Sequence, residues 1–534
     1  MTSIKALKEA SVTGHSGSSH PWEVLWVCTS AVTGCAMYNS IRLLQRQRQK
    51  RTTQNHSITG GSVLLEAVVV WLPMILAQSE YLYPYATIIM MVQASLLLVY
   101  EQQRIPHSPG SNYQSSTAKE MSYAADTSLQ QSRLGYLTLY RSSILYLTFI
   151  AILAVDFPAL FPRRFCKTET EGYGLMDVGA ASFCLSAGLV GAKRRLQQQN
   201  KNKAATTNNT IWKPFFHALP LVVIGMIRIV TNQELEYQEH VTEYGVHWNF
   251  FFTLGVLTVL PLILPGKTSK PSILYPLIVM LLYQLALSRL QWQVFVEDAP
   301  RTIHDLQVWM ADNKTTTANG QTAPSIRTNN LAETILWLHS ILPNLAQFLL
   351  ANREGVLGCC GYLSLYYVGE WVGYNYLWNN QNTTNNNSSN NNNKNNGLGL
   401  FVLSSWGFHL TLVHFFAIPV SRRSTNLGFC SWAVAHNVVL LYFLQMLERR
   451  IKRQSQTIIL VPPIWDLVNR HGLIMFLVAN LLTGLVNLTV PTLTMSAFGA
   501  LIIVFLYICL VGMAAMGVDT VWTGTIKNGK EKGL

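Results

Sequence analysis

Residues 493–516 read LTMSAFGALIIVFLYICLVGMAAM and contain no charged side chain. A run of about 20 apolar residues, wound as a helix, spans the hydrocarbon core of a bilayer. The same pattern recurs along the chain. Fourteen windows approach that criterion, at roughly 24–44, 62–78, 81–100, 138–155, 174–192, 214–231, 247–264, 273–290, 334–350, 356–376, 398–418, 428–447, 472–489 and 493–516. Several contain Gly or polar residues, as helices that face one another do. Of the 534 residues, 49% are hydrophobic and 12% charged, against about 25% charged in soluble proteins. Mean hydropathy is +0.22. These values exclude a disordered chain, a coiled coil, a collagen and a disulfide-rich secreted module. The expected fold is all-α: a polytopic membrane protein forming a single multi-spanning domain over 1–534.

Net charge is +13, but the cations cluster in short loops between apolar runs. That is the positive-inside pattern of a membrane protein, so nucleic acid is not an expected partner. No short apolar segment of a cleavable leader precedes the first run, which suits an uncleaved anchor. Arg46, Arg48, Lys50 and Arg51 place the first loop in the cytosol and the N-terminus on the lumenal side. Fourteen crossings would put the Arg449–Arg453 cluster and the tail, Lys530-Glu531-Lys532-Gly533-Leu534, on the wrong side. The tail has the K-x-K-x-x form of a retrieval address read from the cytosol. Removing one crossing between 334 and 376, where Asn352-Arg353-Glu354-Gly355 interrupts the run, resolves both conflicts. The expectation is about thirteen transmembrane helices. It moves Arg422-Arg423 to the lumen, where they become candidates for phosphate recognition. The Asn-rich stretch 379–396 buries no apolar area and is expected to be a disordered loop insertion.

The eight cysteines show no C-x-x-C or Cys/His spacing, so no metal is expected. Walker A, G-x-S-x-G and H-E-x-x-H motifs are absent. The stretch that carries chemistry is DFPALFPRRFCKTET at 156–170. Pro158 and Pro162 prevent a regular helix from continuing, which leaves Asp156 at a helix end near the interface. A carboxylate there is expensive and marks a site. It can accept a proton from a hydroxyl, while Arg163, Arg164 or Lys167 can stabilise an oxyanion or hold phosphate. On spacing alone an interfacial ion pair with snorkelling cations is the simpler reading. In VTEYGVHWNFFFT at 241–253, His247, Trp248 and Asn249 sit at the mouth of a run. An aromatic belt is the simpler reading, acid–base work by His247 the sharper one. Arg353 and Glu354 are adjacent and can pair with each other, or Arg353 can grip a lipid phosphate. Asn480 and Asn487 suit helix–helix hydrogen bonds.

These blocks resemble the glucosaminyl-phosphatidylinositol inositol acyltransferase family of GPI-anchor biosynthesis. The resemblance runs from Lys8-Glu9 and Gly14-His15-Ser16-Gly17 through 156–170 and Gly174-Leu175-Met176-Asp177. It continues in VTEYGVHWNFFFTLG at 241–255, ANREG at 351–355, GYLSLY at 361–366, RRSTNL at 422–427 and ANLLTGLVNL at 479–488. It implies an endoplasmic reticulum enzyme with thirteen crossings, a lumenal N-terminus and a cytosolic C-terminus. That enzyme moves a fatty acyl chain, usually palmitoyl, from acyl-CoA to an inositol hydroxyl of glucosaminyl-phosphatidylinositol, with no cofactor. Asp156 and Lys167 match the family's essential aspartate and lysine. Arg163, Arg164, His247, Trp248, Asn249, Arg353, Glu354, Arg422 and Arg423 are the accompanying substrate-binding candidates. The alternative class, a secondary transporter of lipid or small anions, predicts two related halves, and no internal repeat is evident.

Overall fold

The computed structural model describes residues 10–11, 13–48, 60–102, 134–202, 213–234, 241–263, 270–318, 330–378, 388–455 and 461–531. Lys50-Arg51, residues 379–387 of the Asn-rich stretch and the last three residues lie outside these. The described chain is helical, with one isolated β-bridge between Ser18 and Tyr173.

Among the described residues eight helices are long and apolar enough to cross a membrane: Pro21–Gln45, Gly60–Ala77, Gly135–Ala154, Leu175–Gln197, Gly397–His414, Leu427–Ile451, Gly472–Thr489 and Ala497–Thr523. A ninth results if Leu274–Arg289 and Trp292–Asp298, bent by 73°, form one span. The bend falls at Gln291, whose φ of 56° is left-handed. The polytopic helical class is therefore established, while the count of thirteen is not reached by length and composition. The shortfall has visible causes. Tyr83–Leu97, Phe215–Val230 and Phe250–Pro261 are short apolar helices. The window at 334–350 is broken at Pro343 into Asn330–Ile341 and Pro343–Ala351, because proline lacks the donor that would continue the ladder. Helix Arg353–Val372 carries Arg353, Glu354 and Glu370. The Asn-rich stretch is helical from Ser388 onward, as the first turns of Ser388–His414. Extending an existing helix is far cheaper than nucleating one.

The chain divides into two compact units. One comprises Met1–Pro21 with Arg164–Val438, the other Trp22–Arg163 with Val439–Leu534. The first is built on helices Leu175–Asn202 and Arg353–Val372. A Cβ at Gly188 would lie 2.0 Å from the Tyr366 carbonyl oxygen, and one at Gly369 would lie 2.2 Å from that of Leu185. This small-residue seam brings the two backbones together. Arg195 and Glu370 pair across it at 2.8 Å.

The second unit is centred on helix Gly135–Ala154. Its Tyr146 ring stacks on Trp465 at 5.1 Å and on Trp71 at 5.9 Å. The Glu448 carboxylate accepts the Tyr136 N–H at 3.0 Å, satisfying a donor at the helix start. Pro73 cannot donate to the Val69 carbonyl four residues earlier, and the helix passes through a π segment at Ala67–Trp71. The buried Gln93 amide donates to that carbonyl at 3.0 Å instead. Gln93→Leu orphans it and is expected to destabilise the protein by about 1–3 kcal/mol. A lowered thermal unfolding midpoint in detergent checks this.

Candidate active site

In the second unit the helix Gly135–Ala154 ends as the proline spacing dictates. Asp156 N–H donates to Leu153 O at 3.2 Å and Phe157 N–H to Ala154 O at 3.0 Å, closing a final turn. Phe157 and Phe161 are fully buried and anchor the segment. Arg163 spends its guanidinium on backbone carbonyls, with Nη2 on Val155 O at 3.0 Å and Nε on Phe161 O at 3.3 Å. It stabilises the helix end. Asp156 is half-buried, and Asn487 Nδ2 donates to its Oδ2 at 2.6 Å. Asn487 thus bonds between helices, to a carboxylate whose position it fixes.

Lys167 belongs to the first unit. Its Nζ meets Glu243 Oε2 at 2.5 Å. Glu243 Oε1 accepts from Arg422 Nη2. On its other edge Arg422 has Nε 3.3 Å from Asp177 Oδ1, and Nη2 is also 3.2 Å from the Tyr244 hydroxyl. The Asp177 oxygens accept the Thr168 N–H at 3.2 and 3.3 Å. Burial by itself would push the Glu243 carboxyl up. Arg422 and Lys167 beside it prevail and hold it well below the usual carboxylate range. Arg422 is placed by a built loop. The Asn426 side chain donates to Pro419 O at 2.8 Å and accepts the Phe429 N–H at 2.9 Å, capping helix Leu427–Ser455.

The two blocks 241–255 and 351–355 lock together. Gly245 has φ of 115°, and a Cβ there would lie 2.5 Å from Asn352 Cα. Only glycine fits both conditions. Asn352 Oδ1 accepts the His247 N–H at 2.7 Å. The absence of a side chain at Gly355 makes room for the Trp248 ring, which a Cβ would meet at 2.4 Å. Trp248 Nε1 donates to Thr253 at 3.0 Å. Asn249 donates to Gly225 O at 3.0 Å and accepts the Phe251 N–H at 3.1 Å, starting helix Phe250–Ile263. The His247 side chain is exposed.

Arg353 and Glu354 form the expected mutual pair at 3.8 Å, though each has nearer partners. Glu354, fully buried, meets Arg301 at 2.5 Å and Arg423 at 3.4 Å. Arg353 donates to the backbone oxygens of Val296 and Ala299. These bonds brace a turn. Arg164 lies over the Phe165 ring at 5.1 Å.

The structure therefore unites Lys167 with Arg422, and Glu354 with Arg423. Asp156 and Arg163 fall in the other unit. Sequence reading missed Glu243, Asp177 and Arg301 as site members. Glu243 and Asp177 lie within blocks that carry the resemblance, which was the available signal. Arg301 had none.

The fold and this charged cluster define a helical, multi-spanning membrane protein with a built polar site. The family model described as GWT1 matches residues 4–315 and 326–518. The chain is 31% identical over 476 residues to the GPI-anchored wall transfer protein 1 of Aspergillus oryzae, covering 84% of this chain and 86% of that one. The proteins of the same name from Candida albicans and Candida glabrata are each 28% identical, covering 95% and 96% of this chain and 96% and 98% of theirs. The chain belongs to the GWT1 family, the GPI inositol acyltransferase family to which its sequence blocks point.

Arg422 is 5% exposed and holds two carboxylates. Arg422→Ala leaves them buried without it and is expected to cost about 3–5 kcal/mol of stability, read as a lowered unfolding midpoint. A depressed carboxyl stabilises the fold above the ordinary glutamate range and loses that contribution as pH falls toward its own lower value. The difference in unfolding midpoint between wild type and Glu243→Gln is expected to stay constant from about pH 8 to pH 5 and to shrink below about pH 4. A pH series of thermal melts on both proteins checks this.

Proposed function

We propose that the protein works in GPI-anchor biosynthesis by transferring a fatty acyl chain, palmitoyl in the first instance, from acyl-CoA to an inositol hydroxyl of glucosaminyl-phosphatidylinositol. The setting is the endoplasmic reticulum membrane, with the N-terminus lumenal and the C-terminus cytosolic. Membership of the GWT1 family supports the pathway. The observation that carries the chemistry is Asp156, a half-buried carboxylate at a broken helix end, oriented by the Asn487 amide.

An inositol hydroxyl is a weak nucleophile until its proton leaves. In this reading Asp156 takes that proton as the oxygen attacks the thioester carbonyl. The C–O ester bond forms, the C–S bond breaks, and CoA departs as thiolate, which is then protonated. Lys167 supplies positive charge, to the developing carbonyl oxyanion or to CoA phosphate. The acyl tail lies among apolar helices, where each buried methylene contributes about 0.8 kcal/mol. No acyl-enzyme is required, so the buried Cys166 has no chemical part.

The test is acyl transfer by detergent-purified full-length protein supplied with acyl-CoA and glucosaminyl-phosphatidylinositol. Asp156→Asn is expected to lower kcat by about 100-fold or more, and Cys166→Ala to leave it within a few-fold of wild type. Full activity of folded Asp156→Asn would refute the assigned base. A transporter of lipid or small anions would leave both compounds chemically unchanged.

A further inference from the structure

Lysine ends in a flexible chain with an ammonium that rotates freely, so a lysine that must meet a reacting group needs something to aim it. Lys167 has such a support, and the support forms a closed circuit. From Lys167 Nζ the path runs to Glu243 at 2.5 Å, then to Arg422, then to Asp177 at 3.3 Å. Asp177 returns it to the N–H of Thr168, the residue next to Lys167. Two cations and two anions from four separate chain segments thus balance. Exposure rises along the circuit, with side chains of Asp177 at 1%, Arg422 at 5%, Glu243 at 14% and Lys167 at 26%. The anchoring members are buried and Lys167 is the most exposed of the four. Among the described residues Glu243 is the one acceptor for Lys167 Nζ, which leaves ammonium N–H bonds for a ligand.

We propose that Glu243 is a positioning residue for acyl transfer, holding the Lys167 ammonium in place while Arg422 and Asp177 fix Glu243. The proposal rests on the reading of Lys167 as the cation of the reaction. Arg422 makes the arrangement directional. Its guanidinium pins Glu243 from the buried side, so the carboxylate cannot follow Lys167 outward. Removing the Glu243 charge leaves Lys167 and Arg422 without the anion that joins them. The other titratable groups around the cluster keep their places. Glu169 accepts from Thr242 at 3.3 Å and from the Gly14 N–H at 3.0 Å. The His15 carbonyl accepts the Glu169 N–H at 3.3 Å. Tyr244 faces Arg422, and Tyr362 faces Tyr244.

The experiment uses full-length protein with Glu243→Gln and Glu243→Asp. Two quantities are read at one fixed pH: acyl transfer, and the rate at which an amine-acylating reagent labels Lys167, followed by peptide mass spectrometry. Glu243→Gln is expected to lower kcat about 10- to 100-fold with a smaller change in KM. It is also expected to raise the Lys167 labelling rate several-fold, since the side chain has lost its anchor. Glu243→Asp withdraws the carboxylate by one methylene and is expected to fall between wild type and the Gln variant in both. It carries the test if the Gln variant does not fold. Wild-type kcat and labelling rate in a folded variant, with only thermal stability lowered, would overturn the proposal. A raised labelling rate in a protein that transfers no acyl group would uphold the positioning and refute the reaction.

Discussion

A carboxylate withdrawn from water is held only if opposite charge and hydrogen bonds replace the solvent it lost. Glu243 meets that requirement by sharing its two oxygens between Lys167 and Arg422. Much of the first unit is arranged around this sharing. Arg422 must be buried, which obliges Asp177 to balance it, and Asp177 in turn ties down the backbone of Thr168. The segment after Thr168 then has little freedom. It pairs with the N-terminal strip through the Ser18–Tyr173 bridge and through Gly17 N–H on Glu171 O at 3.1 Å. Gly172 N–H reaches Val420 O at 2.9 Å, close to Arg422 in the chain. One charge pair thereby joins the N-terminal strip, the loop after residue 163 and the loop before residue 427.

Such a polar construction within an apolar helical unit needs backbones that approach closely, and glycine provides the approach. At Gly188 and Gly369 helices meet without side chains between them. At Gly245 the chain turns against Asn352 in a left-handed conformation that a Cβ would obstruct. The effect at Gly355 is different, since the missing side chain opens a seat for Trp248. These contacts supply the packing that fixes the polar loops, because apolar burial provides little drive between helices already surrounded by lipid.

The sequence made the apolar spans readable, because a membrane imposes a length and a polarity that composition records directly. The end of the helix before Asp156 was readable for a comparable reason, since proline acts locally. Charge partners were not. Glu243 lies 76 residues from Lys167 and 179 from Arg422, and no periodicity links positions that far apart. Adjacency told only part of the pairing. Neighbouring residues on a helix point about 100° apart, so their mutual contact is long, at 3.8 Å for Arg353 and Glu354. The nearer partners are the carbonyls of Val296 and Ala299 for Arg353, and Arg301 for Glu354. In the loop at 422–423 the two arginines also diverge, one to Glu243 and the other to Glu354. A pair of cations read as one phosphate clamp belongs to two separate networks.

The contrast between the two carboxylates bears on which of them serves as base in the proposed reaction. Glu243 touches two cations, and its proton affinity is lowered accordingly. A carboxylate stabilised that far in its charged form has little driving force to take a proton from a sugar alcohol. Its charge is better suited to holding an ammonium than to turning over. Asp156 is oriented by Asn487, a neutral amide that fixes a direction without bringing a positive charge of its own. The two cations on Glu243 fit it for charge placement, and Asp156 remains the carboxylate to which the proposed reaction gives the acid–base part.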